Sequence, residues 1–328
     1  MVSGRAADLR AAGDALKDRR VFVIFNPASG RGRGARRLAS YRSLLEEHLP
    51  GVEIGTTSRP GEERGLAERG LDAGADVIVA VGGDGTWSNV ADRVVASGRS
   101  DVSFGILPNG TGNDFGRNLG FDPANAREAV RVLATGHTRL VDVGRLDTPS
   151  ASEHTPDRVE SRHFLNLVGF GFDVAVIDAA ARARFLRGEL LYKVTALQQL
   201  FRFLGTRIGV QTAGGDVRDG RHLMLTVSNG RYFGGGFPIA PAATPFDGRL
   251  HACRIMDAPP LGRLNLFNLA ETGRHVTSER VEILDAESFR LSFDAPPRFE
   301  MDGDVRQASA PVLEVRILPA ALRVVVPA

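Results

Sequence analysis

Apolar residues in the N-terminal part of the chain gather in short runs separated by helix-period stretches. Val21–Phe25, Val77–Val81 and Phe104–Leu107 read as strands buried on both faces, as in a parallel sheet, and Val52–Thr56 reads as another strand beside them. Helices are predicted over about Ala35–His48, Glu62–Ala73, Thr86–Ser97 and Asn125–Thr135. Strand and helix alternate as in βαβ units, which predicts a Rossmann-like α/β domain over residues 1–138.

The pattern changes near Arg139. Arg139–Leu146 alternates, and His163–Val168 is its expected antiparallel partner, with polar Thr148–Ser161 as a hairpin loop between them. Strand-like runs follow at Arg207–Gln211, Leu223–Ser228, Gly248–Met256, Arg280–Leu284, Phe289–Phe293, Pro297–Met301 and Leu313–Leu318. Short strands punctuated by Gly, Pro and Asn-Gly predict an all-β second domain, a sandwich, over 139–307. One helical stretch, Asp178–Leu204, interrupts them. Its apolar positions Leu190, Val194, Leu197 and Phe201 have helical spacing, and Arg182, Arg184, Arg187, Lys193 and Arg202 make it basic. Such a helix is either core packing or a surface for an anionic bilayer.

Candidate chemistry sits where the parallel strands end. Val77–Val81 runs into Gly82, Gly83, Asp84, Gly85 and Thr86, a turn that can present main-chain N–H groups to phosphate while Asp84 faces a metal or a hydroxyl. Read alone, this is equally a strand-to-helix turn with a capping Asp. Val21–Phe25 empties into Asn26, Pro27, Ala28, Ser29, Gly30 and Arg31, and Phe104–Leu107 into Pro108–Gly120, which contains Thr111, Asn113 and Asp114. Three such loops leaving one sheet edge predict a ligand crevice at the strands' carboxyl ends. Arg31 and Arg33 stand where a loop arginine reaches an oligophosphate, or are simply solvated.

Phosphoryl transfer needs donors on the phosphate, a divalent metal and a carboxylate to take the acceptor's proton. The loops supply the donors, and Asp84 and Asp114 supply carboxylates for Mg²⁺. For the base, the candidate is Glu300-Met301-Asp302-Gly303-Asp304, in which a Gly turn presents two carboxylates. An ordinary Asp-Gly hairpin reads the same way.

Composition narrows the class. The chain has 328 residues, 43% hydrophobic and 24% charged, and a formal net charge of +2, too small to imply nucleic-acid binding. Lys17 and Lys193 are the only lysines, so the basic residues are almost all arginine, from a preference for bidentate phosphate contacts or from codon usage. Cys253 stands alone, which fits a reducing compartment. With no apolar leader and no membrane-length apolar run, the expectation is a cytoplasmic protein in transient contact with the inner membrane surface. No Ser-His-Asp arrangement or Cys/His metal spacing is visible.

The motifs FNPASG, VGGDGT and LPNGTGNDFGR, then FLNLVGFGFDV, SNGRYFGGGFPIAP, FDGRL and MDGD, resemble in order the diacylglycerol kinase catalytic family, which includes sphingosine and ceramide kinases. The resemblance runs from about Val21 to the C-terminus. It implies an NAD kinase/diacylglycerol kinase-like fold with ATP in the cleft between the domains, and a last segment, about 308–328, that returns to the first domain. Carried over by motif, it puts nucleotide at Asn26–Gly30, Thr57, Gly82–Asn89 and Thr111, and metal at Asp84 and Asp114. Asp302 and Asp304 match the motif that holds the proton acceptor. Asp247, with the carbonyls of Thr244 and Arg249, matches a second, structural Mg²⁺ site. Two departures stand out: Ser88-Asn89 where the family commonly has Asn-Glu, and Asp304 where it has glutamate. Because Asp304 is one methylene shorter, the expectation is Asp302 as base and Asp304 as its partner. The implied reaction is phosphorylation of a lipid alcohol, diacylglycerol first and a sphingoid base second, with a homodimer left open. NAD kinase, which shares GGDGT, and a non-catalytic nucleotide or lipid sensor are the rivals.

Overall fold

Val77–Gly82 forms β3, every residue of it buried, between β1 (Val21–Phe25) and β4 (Ser103–Pro108), with β2 (Glu53–Thr56) outside β1. All three pairings are parallel and in register with the expected strands. Helices α1 (Gly34–His48), α2 (Glu62–Asp72), α3 (Asp84–Ala96), α4 (Asp114–Asn118) and α5 (Ala126–Thr135) pack around this sheet. Trp87 on α3 is fully buried, and its indole N–H donates to the Ala80 carbonyl at 3.1 Å. A buried indole needs such an acceptor, and here it clamps the helix onto the strand that precedes it.

The computed structural model describes residues 16, 19–30, 34–122, 124–149, 159–182 and 200–328. Arg31, Arg33, most of the stretch before Arg20, residues 150–158 of the polar loop and residues 183–199 of the basic stretch, with Arg184, Arg187 and Lys193, lie outside the described residues. Among those described, no helix is long and apolar enough to cross a membrane.

The second half is the expected sandwich, built on β5 (Thr138–Pro149), β6 (Val159–Phe164), β7 (Leu167–Gly171), β8 (Thr206–Thr212), β9 (Arg218–Ser228), β10 (Leu250–Met256), β11 (Val281–Ala286), β12 (Ser288–Phe293), β13 (Arg298–Met301), β14 (Asp304–Gln307) and β15 (Val312–Val325). Apart from β4 and β15, which pair in parallel, its strands pair antiparallel around a core that includes Phe164, Phe170, Leu225, Phe289 and Val315.

Three local expectations change. His163–Val168 is not one strand: it breaks into β6 and β7 at Leu165-Asn166, whose N–H groups bond a carboxylate instead of a neighbouring strand. The helix expected from Asp178 starts earlier, as α6 (Phe172–Arg182), directly after β7. An unforeseen helix, α7 (Pro260–Ala270), opens with Pro260, where a missing N–H costs nothing, and has no side-chain cap to announce it.

The halves are joined by two long strands that run side by side through both. β5 pairs β15 from Thr138↔Val325 to Asp147↔Glu314, with a register shift between Leu318 and Leu322, and beyond the shift β15 also pairs β4 in parallel. At the shift Ala320 has φ of 50°, and the buried Asp142 accepts from Ala320 N–H and Gly248 N–H, both at 2.7 Å. An orphaned buried donor costs about 1–3 kcal/mol. Both donors are only part-buried, so Asp142→Ala is expected to destabilise the protein by about 1–3 kcal/mol in total, and Asp142→Asn, which keeps one acceptor, by roughly half as much; urea denaturation checks both.

Candidate active site

The loops after β1, β3 and β4 are bonded into one unit. Asn26 Nδ2 donates to Thr86 Oγ1 at 2.9 Å and Asn109 Nδ2 to Ser29 Oγ at 2.9 Å, while Asn109 N–H donates to the Gly82 carbonyl at 2.7 Å. Asn113 takes a left-handed φ of 55° and folds its side chain back on Gly110, accepting from Gly110 N–H at 3.1 Å. Gly110 lies so close to Gly83 that a Cβ on it would stand 2.4 Å from Gly83 Cα. Only glycine permits that approach, and bare backbone lines the floor of the crevice. Thr57, buried behind β1, is held by its N–H on the Phe25 carbonyl at 2.9 Å, whereas Thr111 is exposed at the loop tip.

Asp84 and Asp114 meet over Gly112. A Cβ there would lie 3.1 Å from Asp84 Oδ2 and 3.3 Å from Asp114 Oδ2. Asp84 Oδ1 accepts from Phe115 N–H at 2.9 Å, and Asp114 Oδ2 from Gly235 N–H at 2.8 Å. Desolvation raises the pKa of both; burial, then the charge of Asp84, pushes Asp114 up to about 7. Asp114 Oδ1 is buried without a hydrogen-bond partner, with the Arg117 guanidinium 3.7 Å away as its ion-pair partner. An orphaned carboxylate oxygen beside a second carboxylate fits a divalent cation, whose charge would relieve both penalties. No described site gathers three metal-ligating side chains. That suits Mg²⁺, which keeps several waters and phosphate oxygens in its shell.

The Asp-Gly turn is both an ordinary hairpin and part of the site. Met301 pairs with Asp304, so Asp302-Gly303 is a two-residue loop with φ of 47° and 96°, the positive-φ geometry such hairpins favour. Inside it, Asp302 Oδ2 accepts from Leu165 N–H at 2.6 Å, and Oδ1 accepts from Asn166 and Leu167 N–H at 2.9 Å each. Burial raises its pKa to about 6, and these backbone donors hold it from rising further. Asp302 is 3% exposed, while the Asp304 side chain keeps 46% of its surface. Asp304 Oδ1 lies over the first turn of α3, 3.1 Å from where a Gly85 Cβ would stand.

A second pair of buried acids, not singled out in the sequence, lies behind the hairpin. Asp173 and Glu300 both face Gly169, where a Cβ would come within 2.0 Å of Asp173 Oδ2 and 3.3 Å of Glu300 Oε2. Glu300 Oε1 accepts from Gly303 N–H, but Oε2 and both Asp173 oxygens have no partner in bonding geometry. Burial lifts Asp173 to about 7, and burial with the Asp173 charge lifts Glu300 well above the carboxylate range. The available signal was an acidic residue just after a Gly-rich strand, in GFGFD.

The loop with Thr244, Asp247 and Arg249 belongs to the strand joint rather than to the crevice. Asp247 Oδ1 accepts from Arg249 N–H at 3.0 Å, and Oδ2 faces His251 Nε2 at 3.3 Å. The loop is anchored there by Asp142.

An α/β unit with a glycine-lined crevice, a β-sandwich behind it and paired acids between them define a phosphotransferase architecture. Comparison with known proteins narrows it. Residues 20–146 match the diacylglycerol kinase catalytic domain, and residues 166–326 match the YegS C-terminal NAD kinase beta sandwich-like domain. The chain is 27% identical over 310 residues to a diacylglycerol kinase of Mycobacterium tuberculosis, covering 94% of this chain and 95% of the relative. It is 24% identical over 289 residues to a diacylglycerol kinase of Bacillus subtilis, covering 87% and 90%. A solved structure of a Bacillus anthracis diacylglycerol kinase shares the fold at TM-score 0.67 and 19% identity, over 94% of this chain and 97% of that one. The chain belongs to the diacylglycerol kinase catalytic-domain family and is a lipid kinase.

Two outcomes follow from this geometry. Gly110→Ala is expected to force the two glycine loops apart, lowering the melting temperature and weakening nucleotide binding at least tenfold, as read by thermal denaturation and calorimetric titration. The raised carboxyls also make a pH forecast. Between about pH 4, where an unfolded Asp titrates, and about 7 for Asp173, the folded chain holds a proton that the unfolded chain releases. Stability is full below that window and falls as pH rises through it. Asp173→Asn is expected to make the fall shallower in chelator-treated protein, measured by denaturation at several pH values.

Proposed function

We propose that the protein transfers the γ-phosphate of ATP, with Mg²⁺, to the hydroxyl of a membrane lipid, and that the lipid is diacylglycerol, giving phosphatidic acid. The observation that carries this is that a half-exposed carboxylate, Asp304, stands over the first turn of α3, directly after the glycine-rich loop we assign to phosphate. In this reading the backbone of Asn26–Gly30, Gly82–Gly85 and Gly110–Gly112 grips the nucleotide phosphates. Asp84 and Asp114 would hold Mg²⁺, which supplies charge neutralisation on the phosphates when bound. Nucleotide occupies the 1–138 domain and lipid the 139–307 domain.

The geometry favours the reverse of the division of labour expected from sequence. Asp302 has three backbone N–H groups on its oxygens and is 3% exposed, so its carboxylate is closed off from a substrate hydroxyl. We assign it to holding the hairpin and assign Asp304 as the general base. A cavity of about 450 Å³ on the sandwich beside β13, lined by Phe170, Val174, Phe203, Phe293 and Pro297 with Asp178, Arg207, Asp294 and Arg298 also on its wall, is the place we assign to the lipid. Asp247 with the Thr244 and Arg249 carbonyls remains the proposed structural Mg²⁺ site, stiffening the strand joint. Because long-chain lipid hydroxyls are offered only at an interface, the proposal includes a transient membrane contact.

Asp304→Asn is expected to cut kcat about 10²–10⁴-fold with ATP KM unchanged. Asp302→Asn sets an amide hydrogen against backbone donors, so it is expected to lower the melting temperature as well as the rate. A mass-resolved screen of lipid alcohols, run beside NAD as acceptor with Mg²⁺ and ATP, tests the reaction itself. Phosphorylated NAD with no lipid product overturns it.

A further inference from the structure

Asn89 lies on α3 one turn after Gly85, so the two share a helix face. Its amide is used completely inside the protein. Nδ2 donates to Glu63 Oε1 at 2.9 Å and to Asp304 Oδ2 at 3.1 Å, and Oδ1 accepts from Arg306 Nη2 at 3.2 Å. That pattern fixes the amide's orientation, because the flipped form would turn its oxygen toward two carboxylates and its N–H groups toward a guanidinium. Arg306 Nη2 also reaches Asp304 Oδ2 at 3.5 Å. Asn89 is 8% exposed and Glu63 5%.

The placement of Asp304 follows from these contacts. Its Oδ1 rests over bare Gly85, and its Oδ2 is pulled toward the next turn of the same helix by Asn89. β14 contributes the carboxylate and Arg306, α3 contributes Gly85 and Asn89, and α2 contributes Glu63 as the amide's anchor. The amide stands between two carboxylates, Glu63 and Asp304, and donates one hydrogen to each. An amide with both hydrogens already donated has none to offer a phosphate.

We propose that Asn89 is a positioning residue for Asp304 and not a nucleotide contact: it braces the base against α3, and Glu63 and Arg306 fix the brace. This rests on the reading of Asp304 as base. Removing the brace leaves the loops that grip phosphate intact and frees the carboxylate to move, and a displacement of about 1 Å at a reacting group costs on the order of 10²-fold in rate.

The test is a kinetic cycle on the full chain with ATP, Mg²⁺ and diacylglycerol in mixed micelles, reading phosphorylated lipid by mass. The expected result for Asn89→Asp, which keeps the shape and loses both donors, is a fall in kcat of about 10²-fold with ATP KM within about twofold. In an Asp304→Asn background the same change is expected to cost less than about twofold more, because a brace has no effect once the base is gone. Should the added carboxylate prevent folding, Asn89→Ser carries the same cycle. Losses that multiply, or a raised ATP KM at unchanged kcat, overturn the positioning role while leaving Asp304 as base. Near-normal kcat in Asp304→Asn alone overturns the base assignment and the brace together.

Discussion

The carboxylate of Asp302 accepts from three consecutive backbone N–H groups, of Leu165, Asn166 and Leu167, and much of the site's geometry follows from that contact. Donors spent on a side chain cannot pair with a neighbouring strand, so the segment that would be one strand breaks into β6 and β7. The same bonds hold the Asp302-Gly303 loop against the start of β7, where Asp302 N–H returns a bond to the Leu167 carbonyl at 3.2 Å. With the loop pinned, Asp304 at the head of β14 stands beside α3, where Asn89 and Arg306 reach its carboxylate. A buried carboxylate with this many donors is a strut. It tolerates a left-handed backbone because Asp, unlike a β-branched residue, enters that region at modest cost.

Around this strut the protein concentrates acidic side chains that meet few cations. Asp84 with Asp114, and Asp173 with Glu300, are pairs of acids withdrawn from water, with oxygens that find no donor. Buried carboxylates in such pairs are destabilising when ionised, and sites of chemistry are where chains tolerate that. The contrast with Asp92 is instructive. Also buried, it is surrounded by Arg64, Arg93, Arg162 and His163, which hold its carboxyl well below the usual range. That cluster ties α3 to α2 and β6 and needs nothing from outside.

How the halves are joined also bears on catalysis. The crevice lies on the α/β unit, while Asp302 and Asp304 come from the sandwich, so the relative position of the two units sets how the acidic hairpin meets the glycine loops. Paired side by side through both units, β5 and β15 supply a stiff connection, and Asp142 closes the one place where their register slips.

Much of this was legible in the chain itself. Unbroken apolar runs followed by Gly-rich turns determined the parallel sheet and its loop edge, because only strands buried on both faces carry such runs and only glycine lets backbones meet as Gly83 and Gly110 do. Alternation with turn punctuation determined the sandwich. The motif order determined the family. What the sequence could not decide was which of two carboxylates two residues apart is exposed. Their chemistry is the same, and the difference lies in donors contributed by residues 165–167, more than a hundred positions away. The same holds for Asn89, which in sequence reads as part of a nucleotide loop. Its partners Glu63, Asp304 and Arg306 come from α2 and β14, and no local pattern records hydrogen bonds between segments so far apart in the chain.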